Sequence, residues 1–307
     1  MHKIKKLIFK LFGLSIDLQM SDILKLFPTK DFKLSKLANN KHQLIFNNDL
    51  GYHRPNYSPI FYYQNKRWQV EVDGITFQTK SNPCFELISE LRGYTLLDNV
   101  GNDDIVIDVG ASTGLIGCYF AKKIGNSGKV IALEPDVRFR TILETHIKYN
   151  NLDNIKVIRK GLYNKCTKIS FDLLDMGASR IESDPDNQNK AESKEIETID
   201  ICTLVNYLNL DTSKIKLIKM DIEGTEVDIV EDIALFIEKN INTVACIASY
   251  HKINGIPAYK IIEDKCRNSD KIFTKTVYPY HPSTFIINNL NSAGINKLQE
   301  IPQYLEV

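Results

Sequence analysis

Residues 104–117, Asp-Ile-Val-Ile-Asp-Val-Gly-Ala-Ser-Thr-Gly-Leu-Ile-Gly, constrain the fold more than any other stretch of the chain. The apolar run Ile105 to Val109 has the length and composition of a buried parallel strand, and it stops at a small-residue turn, Gly110 to Gly114. An amphipathic helix opens near Leu115. Glycine lets such a turn take left-handed dihedrals and lets a ligand approach the backbone, while the helix start presents unbonded amide donors. A second apolar strand, Val130 to Leu133, ends at Glu134-Pro135. A carboxylate there is placed to accept hydrogen bonds from the two hydroxyls of a ribose. Together the two strand ends predict a nucleoside site.

Glycine spacing separates the ligand classes that such a unit can serve. A dinucleotide fingerprint requires Gly-x-Gly-x-x-Gly, whereas Gly110, Gly114 and Gly117 stand without a glycine at position 112. A phosphate-cradling loop requires Lys followed by Ser or Thr, and Leu115-Ile116-Gly117 occupies that place. The pattern Asp108-x-Gly110-x-Ser112-x-Gly114 resembles the first motif of class I S-adenosylmethionine-dependent methyltransferases, with Ser112 where many members have glycine. Lys216-Leu-Ile-Lys-Met-Asp-Ile-Glu-Gly-Thr-Glu226 is similar to the Lys-x-Asp-x-Glu-Gly-x-Glu signature of FkbM-type methyltransferases. Asp108-Val-Gly-Ala111, Glu134-Pro135, Thr198-Ile-Asp200 and Ala248-Ser-Tyr-His-Lys252 match the same family in order, over roughly residues 85 to 288. Ser112-Thr113 replaces the family's commoner Asn-Ile.

The resemblance implies an α/β fold with a doubly wound, mostly parallel, seven-stranded Rossmann-like sheet and S-adenosyl-L-methionine as cofactor. It places Tyr94 near that cofactor, together with Gly110, Ala111, Ser112, Gly114, Glu134, Pro135, Gly161 and Asp221. The implied reaction is methyl transfer to a hydroxyl of a carbohydrate, a glycan or a small natural product. Nitrogen methylation on the same fold, and a cofactor-binding protein without transferase activity, are the alternatives.

In open parallel sheets the ligand lies beyond the carboxyl ends of the strands. That rule selects Gly110 to Ser112, Glu134, Lys160-Gly161, Asp221 and Ser249-Tyr-His251. Asp221, Glu223 and His251 are therefore the catalytic candidates. With an unperturbed pKa near 6.5, His251 suits a general base oriented by Asp221 or Glu223. In the competing scheme the same three residues hold a divalent cation that lowers the pKa of the acceptor hydroxyl. An imidazole ligand fits manganese or zinc better than magnesium. Glu226 reads as structural, at the positive end of a helix, and Asp108 as ordering the glycine turn. The role of Lys219 is open.

The rest of the chain sets the frame. At 307 residues it has room for about two domains, and we expect an accessory region over 1–84 and a methyltransferase domain over 85–307. Lys plus Arg number 39 against 38 Asp plus Glu, so no global positive field favours nucleic acid, and no such partner is expected. Six cysteines without a Cys-x-x-Cys pair predict buried, reduced thiols and a cytoplasmic setting. Residues 1–17 predict a short basic amphipathic helix, packed on the domain or touching anionic lipid at the inner membrane face, and too short to span a bilayer. Trp68 to Phe77 alternates around Asp73-Gly74 and predicts a hairpin that caps the pocket. Asn82-Pro-Cys-Phe85 reads as a turn opening a helix that runs to Tyr94. Further helices are expected over 136–150, 201–208 and 225–239, strands over 155–158, 215–220 and 244–248, and a closing antiparallel pair over 273–278 and 284–287. Met176 to Glu195, polar and aperiodic, predicts an exposed loop able to act as a substrate lid.

Overall fold

The computed structural model describes residues 32–46, 57–173, 180–181, 192–277 and 282–300. The helix expected over 1–17 and most of the lid segment lie outside them. Among the described residues no helix is long and apolar enough to cross a membrane.

Five strands open the described chain, β1 (Phe32–Lys36), β2 (His42–Phe46), β3 (Ile60–Gln64), β4 (Arg67–Val72) and β5 (Ile75–Thr79), and they pair antiparallel in that order. The β4–β5 turn puts Asp73 at φ 54° and Gly74 at φ 75°, the left-handed pair that the Asp-Gly dipeptide encodes. Helices α1 (Cys84–Ser89) and α2 (Leu91–Tyr94) follow, with Asn82 Oδ1 accepting the Cys84 amide at 3.0 Å. Then come β6 (Ile105–Val109), α3 (Leu115–Lys123), β7 (Lys129–Leu133), α4 (Val137–Tyr149) and β8 (Ile155–Ile158). A side arm follows, β9 (Gly161–Leu162), β10 (Lys168–Leu173), β11 (Arg180–Ile181) and β12 (Glu192–Ile199). The chain continues through α5 (Ile201–Tyr207), β13 (Ile215–Met220), α6 (Glu226–Lys239), β14 (Val244–Ala248), the short pair β15 (Lys252–Ile253) and β16 (Ile256–Pro257), and α7 (Ala258–Cys266). It closes with β17 (Ile272–Val277), β18 (Ser283–Asn288) and α8 (Ser292–Glu300).

The central sheet has seven strands in the order β17-β18-β14-β13-β6-β7-β8. Its β14-to-β8 portion is parallel, and β18 and β17 add antiparallel at the edge. Successive residues of β6 point to opposite faces. Val106 enters a core shared with Phe61, Val70, Phe77, Leu87, Tyr119 and Phe120, whereas Ile107 enters one shared with Leu204, Ile218, Ile233 and Ile286. The N-terminal sheet thus covers α3 on one face, and α5, α6 and α7 cover the other. From β6 the chain winds outward to β7 and β8, then returns to place β13 on the other side of β6. That reversal is the topological switch point, where a crevice opens beyond the strand ends.

The side arm corrects the expectation of an unpaired loop over 176–195. Glu192 to Glu195 pair antiparallel with Ser170 to Leu173, and Arg180 and Ile181 pair with Asp172 and Phe171. Beside the apolar Ile169–Ile196 pair, Lys168–Glu195 and Lys160–Glu197 ion pairs, both at 2.9 Å, tie β12 to its neighbours, so the arm mixes apolar and charged cross-strand contacts.

Two side chains, one in α4 and one at its C-terminal cap, clip the N-terminal sheet to the central one. Asn150 Oδ1 accepts the Gln78 amide at 2.6 Å while its Nδ2 donates to the Gln78 carbonyl at 2.7 Å, and His146 Nε2 accepts the Lys80 amide at 2.8 Å. His146 is fully buried, and burial pushes its pKa down to about 4. Protonating Nε2 would cancel the bond to Lys80. A histidine whose folded pKa lies below its unfolded value of about 6.5 contributes stability above pH 6.5 and loses it as pH falls toward 4. The loss is on the order of 3 kcal/mol. In urea titrations from pH 7 to pH 4, His146→Gln, whose amide oxygen can still accept from Lys80, should lack this share of the acid destabilisation seen in the parent.

Candidate active site

The glycine turn after β6 is built from backbone conformations that side chains resist. Gly110 has φ +71°, and a Cβ there would lie 2.0 Å from the Asp221 carbonyl oxygen. Gly114, at φ +83°, starts α3 in contact with Leu143, whose Cδ1 would be 2.2 Å from an added Cβ. Ser112 sits at φ 49°, a left-handed conformation that costs a non-glycine residue roughly 1 kcal/mol. Its amide is repaid by Glu134 Oε2 at 2.8 Å. Glu134 Oε1 meanwhile accepts the Asp136 amide at 2.8 Å, so one carboxylate ties the loops after β6 and β7 together. Burial pushes the Glu134 pKa up to about 7, against the pull of those amides.

Beneath the turn, Lys219 of β13 reaches sideways to β6. Its Nζ lies 3.1 Å from Asp108 Oδ1 and donates to the Gly110 carbonyl at 2.6 Å. Both partners are buried. Burial pulls the Lys219 pKa down, but the charges of Asp108, Asp221 and Glu90 outweigh it and leave a net rise, so the ammonium persists. Lys219 thus holds the glycine turn from within the sheet. Asp108 is an ion-pair partner of this lysine rather than a ligand group.

A cleft opens at the switch point, lined by Gly110, Ser112, Glu134, Pro135, Gly161, Asp221 and Glu223 among the expected residues. Its apolar wall comes from Phe139, Leu162, Ile169 and Ile196. The last two belong to the side arm, which sequence reading left unassigned; the Ile196, Thr198 alternation in β12 was the available signal. Ala111 and Gly114 shape the turn from behind and do not line the cleft, and the β4–β5 hairpin contributes no residue to it. The hairpin instead rests on α3, where Tyr119 donates to Asp73 Oδ2 at 2.6 Å.

Beyond Asp221 the character changes from apolar to acidic. After β13 the chain turns through Glu223 at φ 59° and Gly224 at φ 106°. Glu226, fully buried at the start of α6, orders that turn by accepting the Ile222 amide at 2.8 Å and the Gly224 amide at 2.7 Å, as its structural reading requires. His251 follows β14, with Nε2 3.1 Å from Glu223 Oε2 and Nδ1 3.5 Å from Glu226 Oε1. Burial lowers its pKa, and Glu226, Glu223 and Asp221 more than reverse that, so the net shift is upward. Tyr250 stacks on His251 with ring centroids 4.0 Å apart and donates to Asp221 Oδ1 at 3.3 Å.

Asp221, Glu226 and His251 can each bring one ligand atom within 4.8 Å of the others. This grouping shares Asp221 and His251 with the expected set of Asp221, Glu223 and His251 and has Glu226 as its third member. Glu223 is instead the hydrogen-bond partner of the imidazole. Four of the six cysteines are buried and all are free, but Cys166 and Cys202 are exposed, against the expectation for the whole set.

Residues 108–265 match the family model described as the methyltransferase FkbM domain. Among curated proteins no relative matches the chain. Among solved structures, the chain is similar to Aeropyrum pernix fibrillarin in complex with S-adenosyl-L-methionine, with 12% identity, 85% of this chain and 95% of that chain covered, and a TM-score of 0.42. A SAM-dependent methyltransferase from Aquifex aeolicus shares 13% identity over 67% of this chain and 92% of that one, with a TM-score of 0.38. A methyltransferase from Geobacter sulfurreducens shares 13% identity over 64% and 77%, with a TM-score of 0.40.

Two substitutions test this geometry. Lys219→Met leaves Asp108 charged and unpaired in the core and should cost about 3–5 kcal/mol in urea unfolding, with Asp108→Asn in the same chain recovering part of it. Ser112→Gly removes the left-handed penalty and should leave stability unchanged or raised by up to about 1 kcal/mol, with ligand binding retained in calorimetry.

Proposed function

The chain belongs to the FkbM methyltransferase family, and on that premise we propose that it transfers a methyl group from S-adenosyl-L-methionine to a hydroxyl of a carbohydrate, a glycan or a small natural product. The observation that carries the reading is the junction at Asp221: an apolar, glycine-floored cleft on one side meets an imidazole held between carboxylates on the other. Gly110 lets the ends of β6 and β13 close into one floor for the cleft, since any Cβ would strike the Asp221 carbonyl. Ser112, Glu134, Gly161 and Asp221 would hold the cofactor, and Glu134 keeps acceptor capacity for ribose hydroxyls beyond its two amide bonds. The cofactor supplies an activated methyl on a positively charged sulfur. The protein's own task is then to align the acceptor and remove its proton.

His251 takes that proton, and Glu223 orients the ring and stabilises its charged form. The upward shift has a sign that can be checked. The neutral, base-competent imidazole gains population only as pH rises through a value above 6.5, so kcat should climb with a midpoint above 6.5. Glu223→Gln removes one of the groups that raise it and should move the midpoint down. His251→Ala should lower kcat by about a hundred-fold or more while cofactor affinity is kept.

A divalent cation on Asp221, Glu226 and His251 is the second reading, favoured by their mutual reach. It would have to compete with the two amides on Glu226 and with Glu223 on the imidazole. Its chemistry would be to lower the pKa of the acceptor hydroxyl. Activity that survives exhaustive chelation rules it out. Calorimetry with S-adenosylmethionine and NAD tests the cofactor: NAD binding without S-adenosylmethionine binding would sink the proposal. Nitrogen methylation, nucleic acid as acceptor and the absence of turnover are outcomes that an acceptor screen by mass spectrometry distinguishes through the mass gained and the molecule that gains it.

A further inference from the structure

A chain of buried hydroxyls crosses the antiparallel edge of the central sheet and ends on a carboxylate of α7, and the proposed mechanism does not use it. Ser249, just beyond β14, meets Thr284 of β18 with 2.8 Å between the hydroxyl oxygens. Thr284 stands directly opposite Thr276 of β17, and their oxygens are 2.9 Å apart. Thr276 in turn donates to Glu263 Oε1 at 2.5 Å. The carboxylate sets the direction of the whole chain. Each hydroxyl has a single proton to give, so Thr276, having given its own to Glu263, must accept from Thr284, and Thr284 must accept from Ser249. A buried network of this kind holds its members to one geometry only while every link is made.

Ser249 is fixed at its other polar groups as well. Its amide donates to the Pro282 carbonyl at 2.9 Å, and its carbonyl accepts the Tyr259 amide at 3.2 Å. Tyr259 lies in the first turn of α7, one turn before Glu263, so both ends of the arrangement hang on one face of the same helix. The preceding amide, that of Ala258, donates to the His251 carbonyl at 2.8 Å. Amides that a helix start leaves unbonded thus hold the segment that carries Tyr250 and His251. We propose that Glu263, acting through Thr276 and Thr284, is a positioning residue that holds Ser249 and so sets the imidazole of His251 against Glu223. The hydroxyl chain keeps α7 from sliding along β17, and the α7 amides pass that constraint to the carbonyls of Ser249 and His251. This rests on the reading of His251 as the proton acceptor and adds what keeps the ring in place.

Tyr250 supplies a reporter, because its ring stacks on His251 with centroids 4.0 Å apart and its ring current displaces the imidazole proton resonances. The full chain, isotope-labelled in its histidines, gives one ring signal per histidine in a nuclear magnetic resonance spectrum, and the signal missing from His251→Ala is that of His251. At constant pH, Glu263→Leu and Thr284→Val remove the last acceptor and a central hydroxyl. Each should move the His251 signal alone and lower kcat about ten- to a hundred-fold, on the acceptor found by mass spectrometry, with S-adenosylhomocysteine affinity within about twofold of the parent. Glu263→Gln and Thr284→Ser keep an acceptor and a hydroxyl and should keep the parent signal and rate. Glu263 is half-buried, so its replacement carries the test if Thr284→Val does not fold. An unmoved His251 signal in folded Glu263→Leu would overturn the proposal, as would movement of all histidine signals together, the mark of general loosening. A displaced signal with unchanged kcat overturns it too, and His251→Ala then tells which premise failed: if that variant is inactive the base reading stands, and if it is active the base reading falls as well.

Discussion

The ion pair between Asp108 and Lys219 is the constraint on which the site depends. Both groups sit in the middle of a parallel sheet, where isolated charges are costly, and neighbouring strands β6 and β13 each supply one. A pair of this kind gains little over well-packed apolar residues. Its specific effect is directional: the same ammonium that neutralises Asp108 binds the Gly110 carbonyl and fixes where the turn leaves the sheet. The tight approach of Gly110 to the Asp221 carbonyl then locks the ends of β6 and β13 into one floor.

Two more carboxylates repeat the device at neighbouring strand ends. Glu134 bridges the amides of Ser112 and Asp136, and Glu226 bridges those of Ile222 and Gly224. Each loop contains a non-glycine residue with positive φ, Ser112 in one and Glu223 in the other, and each staple offsets that local cost. The staples differ in exposure to the cleft. Glu134 lines it and retains acceptor capacity, whereas Glu226 is closed off and turned to His251.

The central sheet was legible because parallel strands buried on both faces read as apolar runs, and Ile105–Val109, Ile215–Met220 and Val244–Ala248 lie where those runs predict. The glycine turn was legible because its dihedrals admit few residues. The side arm was not, since Lys160 and Lys168 pair with Glu197 and Glu195 there and leave only the short Ile196, Thr198 alternation to mark a strand. Lys219 was ambiguous because alternation assigns it a face of the sheet but not a partner on the next strand.

The acidity beyond Asp221 bears on how a rate enhancement can arise. Carboxylates near a cation stabilise it most while its charge is whole, and methyl transfer disperses that charge. Asp221, Glu223 and Glu226 therefore cannot accelerate the proposed step by their field on the methyl donor; they favour its ground state. What they can favour is the imidazolium that appears as the acceptor loses its proton, because Glu223 and Glu226 flank His251 at 3.1 and 3.5 Å. In the proposed reaction, charge lost on one side of Asp221 would thus be regained on the other. The carboxylates would keep a positive partner throughout, and the barrier left for the protein to lower would be chiefly that of alignment.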